Sequence, residues 1–143
     1  MVGIYGDSSG NTHGFLYEGN VFATIDYPGA IGTVACGING AGQIAGSFND
    51  STFTTHGFVD SSGSFLALNV PGALVTSACG INDSGIVVGY YYGSDNITHG
   101  FMAVPTPEPA TFFLMFVSSP ALVGLLRHMA RSRATPKQTK HPI

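Results

Sequence analysis

The first 126 residues contain no lysine and no arginine. All eight acidic residues lie at or before Glu108, and all five Lys and Arg at or after Arg127. Residues 1–109 therefore carry a formal −8 and the tail +5. A nucleic-acid binder needs a basic face on its folded domain, so nucleic acid is excluded as a partner. Tryptophan is absent, and charged residues make up only 9% against roughly 25% for an average soluble domain. Low charge combined with 44% hydrophobic residues excludes a disordered chain. No G-x-x-x-x-G-K-[ST] is present. The glycines of "GINGAG" lack the βαβ context of a dinucleotide site. With no catalytic constellation, we expect neither enzymatic activity nor a cofactor.

What is abundant is glycine, at 20 of 143 residues, set among β-branched residues and aromatics. This composition suits an all-β protein full of tight turns. An internal repeat is also present. Thr12-His13-Gly14-Phe15 recurs at Thr55-His56-Gly57-Phe58 and at Thr98-His99-Gly100-Phe101, 43 residues apart each time. "PGA" recurs from Pro28 to Pro71, and "ACGIN" from Ala35 to Ala78, at the same spacing and with no insertion or deletion.

Within one unit, "QIAGSF", "THGFVD", "SFLALNV" and "VTSACGI" read as strands separated by Asn/Gly, Asp/Ser and Pro-Gly turns. Proline ends the third strand because it cannot donate to a ladder. Four short strands per 43 residues match a β-propeller blade. The expected fold is all-β. It comprises about two and a half propeller-blade-like antiparallel repeats, a partial β-propeller in units 1–36, 37–79 and 80–103. The first unit enters in mid-strand and the last stops after Phe101 without its "SFLALNV" strand. Upstream sequence carrying further blades is therefore expected, as is self-association through open sheet edges.

The motifs "GINGAGQIAGSF" with "THGFV", and "GINDSGIVVGYY" with "THGFM", resemble the HAF-type extracellular repeats of secreted bacterial proteins. The usual His-Ala-Phe is His-Gly-Phe here. The resemblance covers residues 2–103 and implies an extracellular β-rich repeat without a known activity.

Beyond residue 103 the character of the chain changes. A Pro-rich linker (104–109) leads into the uncharged stretch 110–126, followed by the basic tail 127–143. Seventeen uncharged, predominantly apolar residues are at the short end of the roughly 17–25 needed to span a bilayer. Pro120 is tolerated in a span. Arg127, Arg131 and Arg133 fix the C-terminus in the cytoplasm by the positive-inside rule, which places the repeats outside. We therefore expect residues 110–126 to form one transmembrane helix in contact with the lipid bilayer.

Pro107-Glu108-Pro109, the apolar stretch and the Arg cluster together resemble a PEP-CTERM sorting signal. That resemblance implies recognition at Pro107, Glu108 and Pro109 by an exosortase, a membrane cysteine protease. It also implies residence in the inner membrane, then release to the cell surface or an exopolysaccharide matrix. The prolines keep the motif extended for a protease to grip. The N-terminal "MVGIYGDSSG" has neither a basic start nor an apolar core, so a signal peptide is expected upstream.

Several side chains invite a chemical reading. His13, His56 and His99 are repeat-equivalent, too widely spaced on a circle of blades for ligand bonds of about 2.0–2.1 Å to one ion. Hydrogen bonding to a neighbouring strand or turn is the expected role, with no metal. Asp7, Asp50 and Asp95 fall in polar turns that lack a calcium-loop pattern, and turn chemistry accounts for them. The sequon residues Asn49, Asn82 and Asn96 mark exposed turns. Tyr90 and Tyr92 should share one strand face and Tyr91 the other, packing between sheets or stacking on sugars. Cys36 and Cys79 are one repeat apart and are expected as two small buried side chains.

Overall fold

A computed structural model describes residues 1–106 and 112–116. All its regular structure is β, in three antiparallel meanders. The first contains β1 (Val2–Gly6), β2 (Thr12–Glu18) and β3 (Val21–Ile25). The second contains β4 (Gly32–Ile38), β5 (Ile44–Asn49), β6 (Thr55–Ser61) and β7 (Ser64–Leu68). In the third are β8 (Val75–Ile81), β9 (Val87–Tyr92), β10 (Thr98–Pro105) and β11 (Phe112–Phe116). Neighbours in sequence pair antiparallel within each meander, and a single parallel bridge, Thr55 to Val75, ties β6 to β8.

β11 departs from expectation. The third repeat does have a fourth strand, running Phe101↔Phe116 to Pro105↔Phe112 against β10. It lies inside the stretch expected as a helix, residues 110–126. Five aromatic and apolar residues suit a strand as well as a helix, and the free edge of β10 offers an unpaired ladder. The rest of that stretch lies outside the described residues.

The turns follow the sequence chemistry. Pro28-Gly29 and Pro71-Gly72 make type II turns between meanders. Glycine supplies φ of 79° and 78°, and the Ala30 and Ala73 N–H groups donate to the Tyr27 and Val70 carbonyls at 3.1 Å. Buried Thr33 and Thr76 brace these connections, their hydroxyls accepting from the Tyr27 and Val70 N–H groups at 3.0 and 3.2 Å.

The meanders stack face to face with an apolar layer at each junction. Ala35, Ile44, Phe48 and Phe58 of the second pack against Val2, Leu16 and Ile25 of the first. Tyr27 lies flat on Phe48, with ring centroids 3.6 Å apart. On the opposite face Ala45, Val59 and Leu68 pack against Ala78, Val87, Phe101 and Ala103 of the third. Each Phe of the T-H-G-F motif covers a cross-strand glycine. A Cβ on Gly46 would stand 2.9 Å from the Phe58 ring and overlap the Val34 carbonyl, and Gly89 is confined in the same way by Phe101 and the Ser77 carbonyl. The innermost strands converge, so that a Cβ on Gly37 would lie 3.1 Å from the Cα of Gly80. At that end Gly40 N–H donates to Asp83 Oδ1 at 2.7 Å and Asn39 Nδ2 to the Asn82 carbonyl at 3.0 Å.

Candidate functional site

The three repeat histidines form the most developed polar clusters of the described residues. Each stands at the start of the strand carrying T-H-G-F and stacks on an aromatic of the preceding strand. The pairs are Tyr5–His13, Phe48–His56 and Tyr91–His99, with centroids 5.1, 5.1 and 5.0 Å apart. His13 Nε2 reaches Asp7 Oδ2 at 3.3 Å and its Nδ1 reaches Asp26 at 2.9 Å. His56 repeats the pattern with Asp50 at 2.9 Å and Asn69 at 2.7 Å. His99 Nε2 reaches Asp95 Oδ2 at 2.8 Å. The ring thus ties a turn to a strand end, the expected hydrogen-bonded role. The stacking aromatics were not anticipated. They too recur every 43 residues, but alternate between Tyr and Phe.

The aspartates are held by their own turns. Asp7 Oδ1 accepts from the N–H groups of Ser9 and Asn11 at 2.8 Å, and Asp50 Oδ1 from those of Thr52 and Thr54 at 2.8 and 3.0 Å. Asn11 holds the Asp7 carboxyl well below the usual range, and the Thr52 hydroxyl followed by His56 does the same for Asp50. Asp95 is lowered chiefly by His99. The Asp26 bond and then the Asp7 bond raise His13. Burial is the largest influence on His56 and pulls its pKa down, but the bonds to Asp50 and Asn69 outweigh it. Burial pushes the Asp60 carboxyl up, partly offset by the Gly63 N–H at 2.7 Å. Each of these carboxylates accepts at least one hydrogen bond from the protein. Among the described residues no cluster of three or more His, Cys, Asp or Glu is placed to hold a metal ion.

Cys36 and Cys79 correct an expectation. Both are free and exposed rather than buried, because each occupies the extra position of a β-bulge in an innermost strand, between Ala35 and Gly37 and between Ala78 and Gly80. Crowding by the surrounding strands raises the Cys36 pKa, and neighbouring Cys79 adds to it. The tyrosine run divides as alternation requires. Tyr91 packs on His99, while Tyr90 faces outward and the Tyr92 hydroxyl donates to Asn96 at 3.4 Å.

An open groove of about 480 Å³ runs between the first and second meanders, with Asn11, Thr12, Ile31, Asn49 and Phe53 on its walls. Phe53 is 79% exposed at a φ of 63°. Pro107, Glu108, Pro109, Arg127, Arg131 and Arg133 lie outside the described residues. Among the described residues no helix is long and apolar enough to cross a membrane.

No protein-family model, curated protein or solved structure matches this chain.

Proposed function

We propose that this chain is an exported extracellular repeat protein, held in the membrane and processed at a PEP-CTERM sorting signal. It would serve as a structural or adhesive element of the cell envelope or exopolysaccharide matrix. The observation that carries the reading is the order Pro107-Glu108-Pro109, uncharged 110–126, Arg127, Arg131, Arg133, with every basic residue of the chain after the apolar stretch. The ectodomain supports it. Its polar clusters brace turns, and among its described residues no buried side-chain polar atom lacks a partner. Meanders of three and four strands at a 43-residue period, stacked face to face with converging inner strands, support a partial β-propeller as the scaffold.

Phe112–Phe116 belong to both β11 and the apolar stretch. With β11 in the sheet, residues 117–126 would span about 15 Å as a helix, half of the roughly 30 Å hydrocarbon core. The anchored form therefore requires β11 to leave the edge of β10. The test is the intact mass of the native protein in membrane and extracellular fractions of its host. A membrane-bound precursor and a released form ending near Glu108 are expected. An unprocessed cytoplasmic species of 14.8 kDa would refute export and sorting.

Phe53 favours a second reading, a carbohydrate-binding ectodomain. An exposed aromatic in a costly left-handed conformation beside Asn11, Thr12 and Asn49 offers a stacking platform with hydrogen-bonding neighbours. Binding on a glycan array that disappears in Phe53→Ala would establish it; no binding by the native protein would remove it.

A further inference from the structure

The repeat itself defines what fits the two uncovered faces at the ends of the stack. Inside the molecule, the face of the second meander bearing Ala45, Ser47 and Val59 is buried under the third. The equivalent positions one repeat later are Val88, Tyr90 and Met102, and here Val88 is 50% and Tyr90 44% exposed. The opposite face of the second meander, with Phe48 and Phe58, is buried under the first. Its equivalents in the first meander are Tyr5 and Phe15. Tyr5 is 43% exposed, and Phe22 beside it 67%. The third meander thus presents the type of face that the first meander presents to the second, and the first presents its complement.

The third meander carries Val, Tyr and Met where the second carries the smaller Ala, Ser and Val, which enlarges the apolar area of its open face. None of Val88, Tyr90, Met102, Tyr5, Phe15 and Phe22 is charged, so the contacting side chains themselves carry no ion into the interface.

We infer that the face of Val88, Tyr90 and Met102 docks on the face of Tyr5, Phe15 and Phe22 of a second copy, head to tail. This contact is heterologous, and a reciprocal pair closes it. The described residues of two copies bring together six meanders, within the four to eight blades of a closed propeller. The inference rests on the repeat packing and is independent of export and sorting.

Sedimentation of the full chain in detergent, with Val88→Glu and Phe22→Glu as variants, tests it. Both sites are exposed, and circular dichroism checks that each variant keeps its β structure; Tyr90→Lys is the second choice for the third meander. The wild-type protein is expected as a dimer. Either variant alone should be monomeric, its dissociation constant raised about 30-fold or more. An equimolar mixture should regain dimers, because Val88→Glu keeps an intact first meander and Phe22→Glu an intact third. A monomeric wild-type protein would overturn the inference, as would a dimer unaffected by both variants, which would place the contact elsewhere. Loss of dimer in only one variant would also overturn it, since that marks one face pairing with itself.

Discussion

Phe53 occupies a backbone position that Gly10, Gly42, Gly85 and Asn96 take in the other four hairpin ends of the same form. A bulky residue at positive φ costs on the order of 1–3 kcal/mol, whereas glycine adopts it freely at the expense of unfolded-state entropy. Phe53→Gly should raise the unfolding free energy by about 1 kcal/mol with an unchanged denaturant slope. A drop in the urea midpoint would show instead that Phe53 makes contacts outweighing its strain. The reverse holds at Gly89, where a Cβ would overlap the Ser77 carbonyl and press within 2.8 Å of the Phe101 ring. Neither a strand backbone nor a buried ring can withdraw cheaply, so Gly89→Ala should cost about 3 kcal/mol in the same assay. These two residues differ in how well the sequence betrays them. Gly89 recurs with Gly3 and Gly46 at the repeat spacing, yet a glycine within a run of turns and short strands reads as one more turn. Its constraint comes from a ring on the neighbouring strand, which one-dimensional pattern does not show.

Each T-H-G-F strand is fastened to its surroundings by a histidine, and that fastening titrates. His13 and His56 are raised in the folded state, so their contribution is complete below the unfolded value of about 6.5 and fades as pH climbs through the folded value. Asp7, Asp50 and Asp95 are lowered; their contribution is present above about 4 and fades as pH falls through the folded values. Asp60, raised by burial, also favours the acidic side, because its ionised form is the one the fold resists. Stability should therefore be greatest between about pH 4 and 6.5 and decline on either side. The melting temperature should be higher at pH 5.5 than at pH 8.5, and the difference should shrink in the double variant His13→Gln, His56→Gln. A wild-type melting temperature constant from pH 5 to 9 would refute the coupling. At this scale the sequence is most informative. "THGFVD", "SFLALNV" and "VTSACGI" coincide with β6, β7 and β8 to within two residues, because alternation and Pro/Gly punctuation are local. β11 was not legible, since an apolar run of this length fits helix and strand equally, and the free edge of β10 that selects strand is a tertiary feature.

Stacked meanders contact their neighbours in sequence, so the stability of each depends on how many of its faces are covered. The second is covered on both, by the layer around Phe48 and Phe58 and by that around Ala45 and Val59. Its innermost end is also pinned to the third by Gly40–Asp83 and Asn39–Asn82. The first has one open face, with Tyr5 and Phe22 in solvent, and among the described residues β1 pairs on one side only. Local opening scales with such exposure. Hydrogen exchange should therefore rank the amides of β5 and β6 as slowest and those of β1 and β3 as fastest, by about tenfold or more. Raising the protein concentration should slow β1–β3 selectively if the first meander is the one a second copy covers. Equal protection of all three meanders at low concentration would mean that the molecule opens as a single unit, and the open face of the first would then carry no energetic penalty.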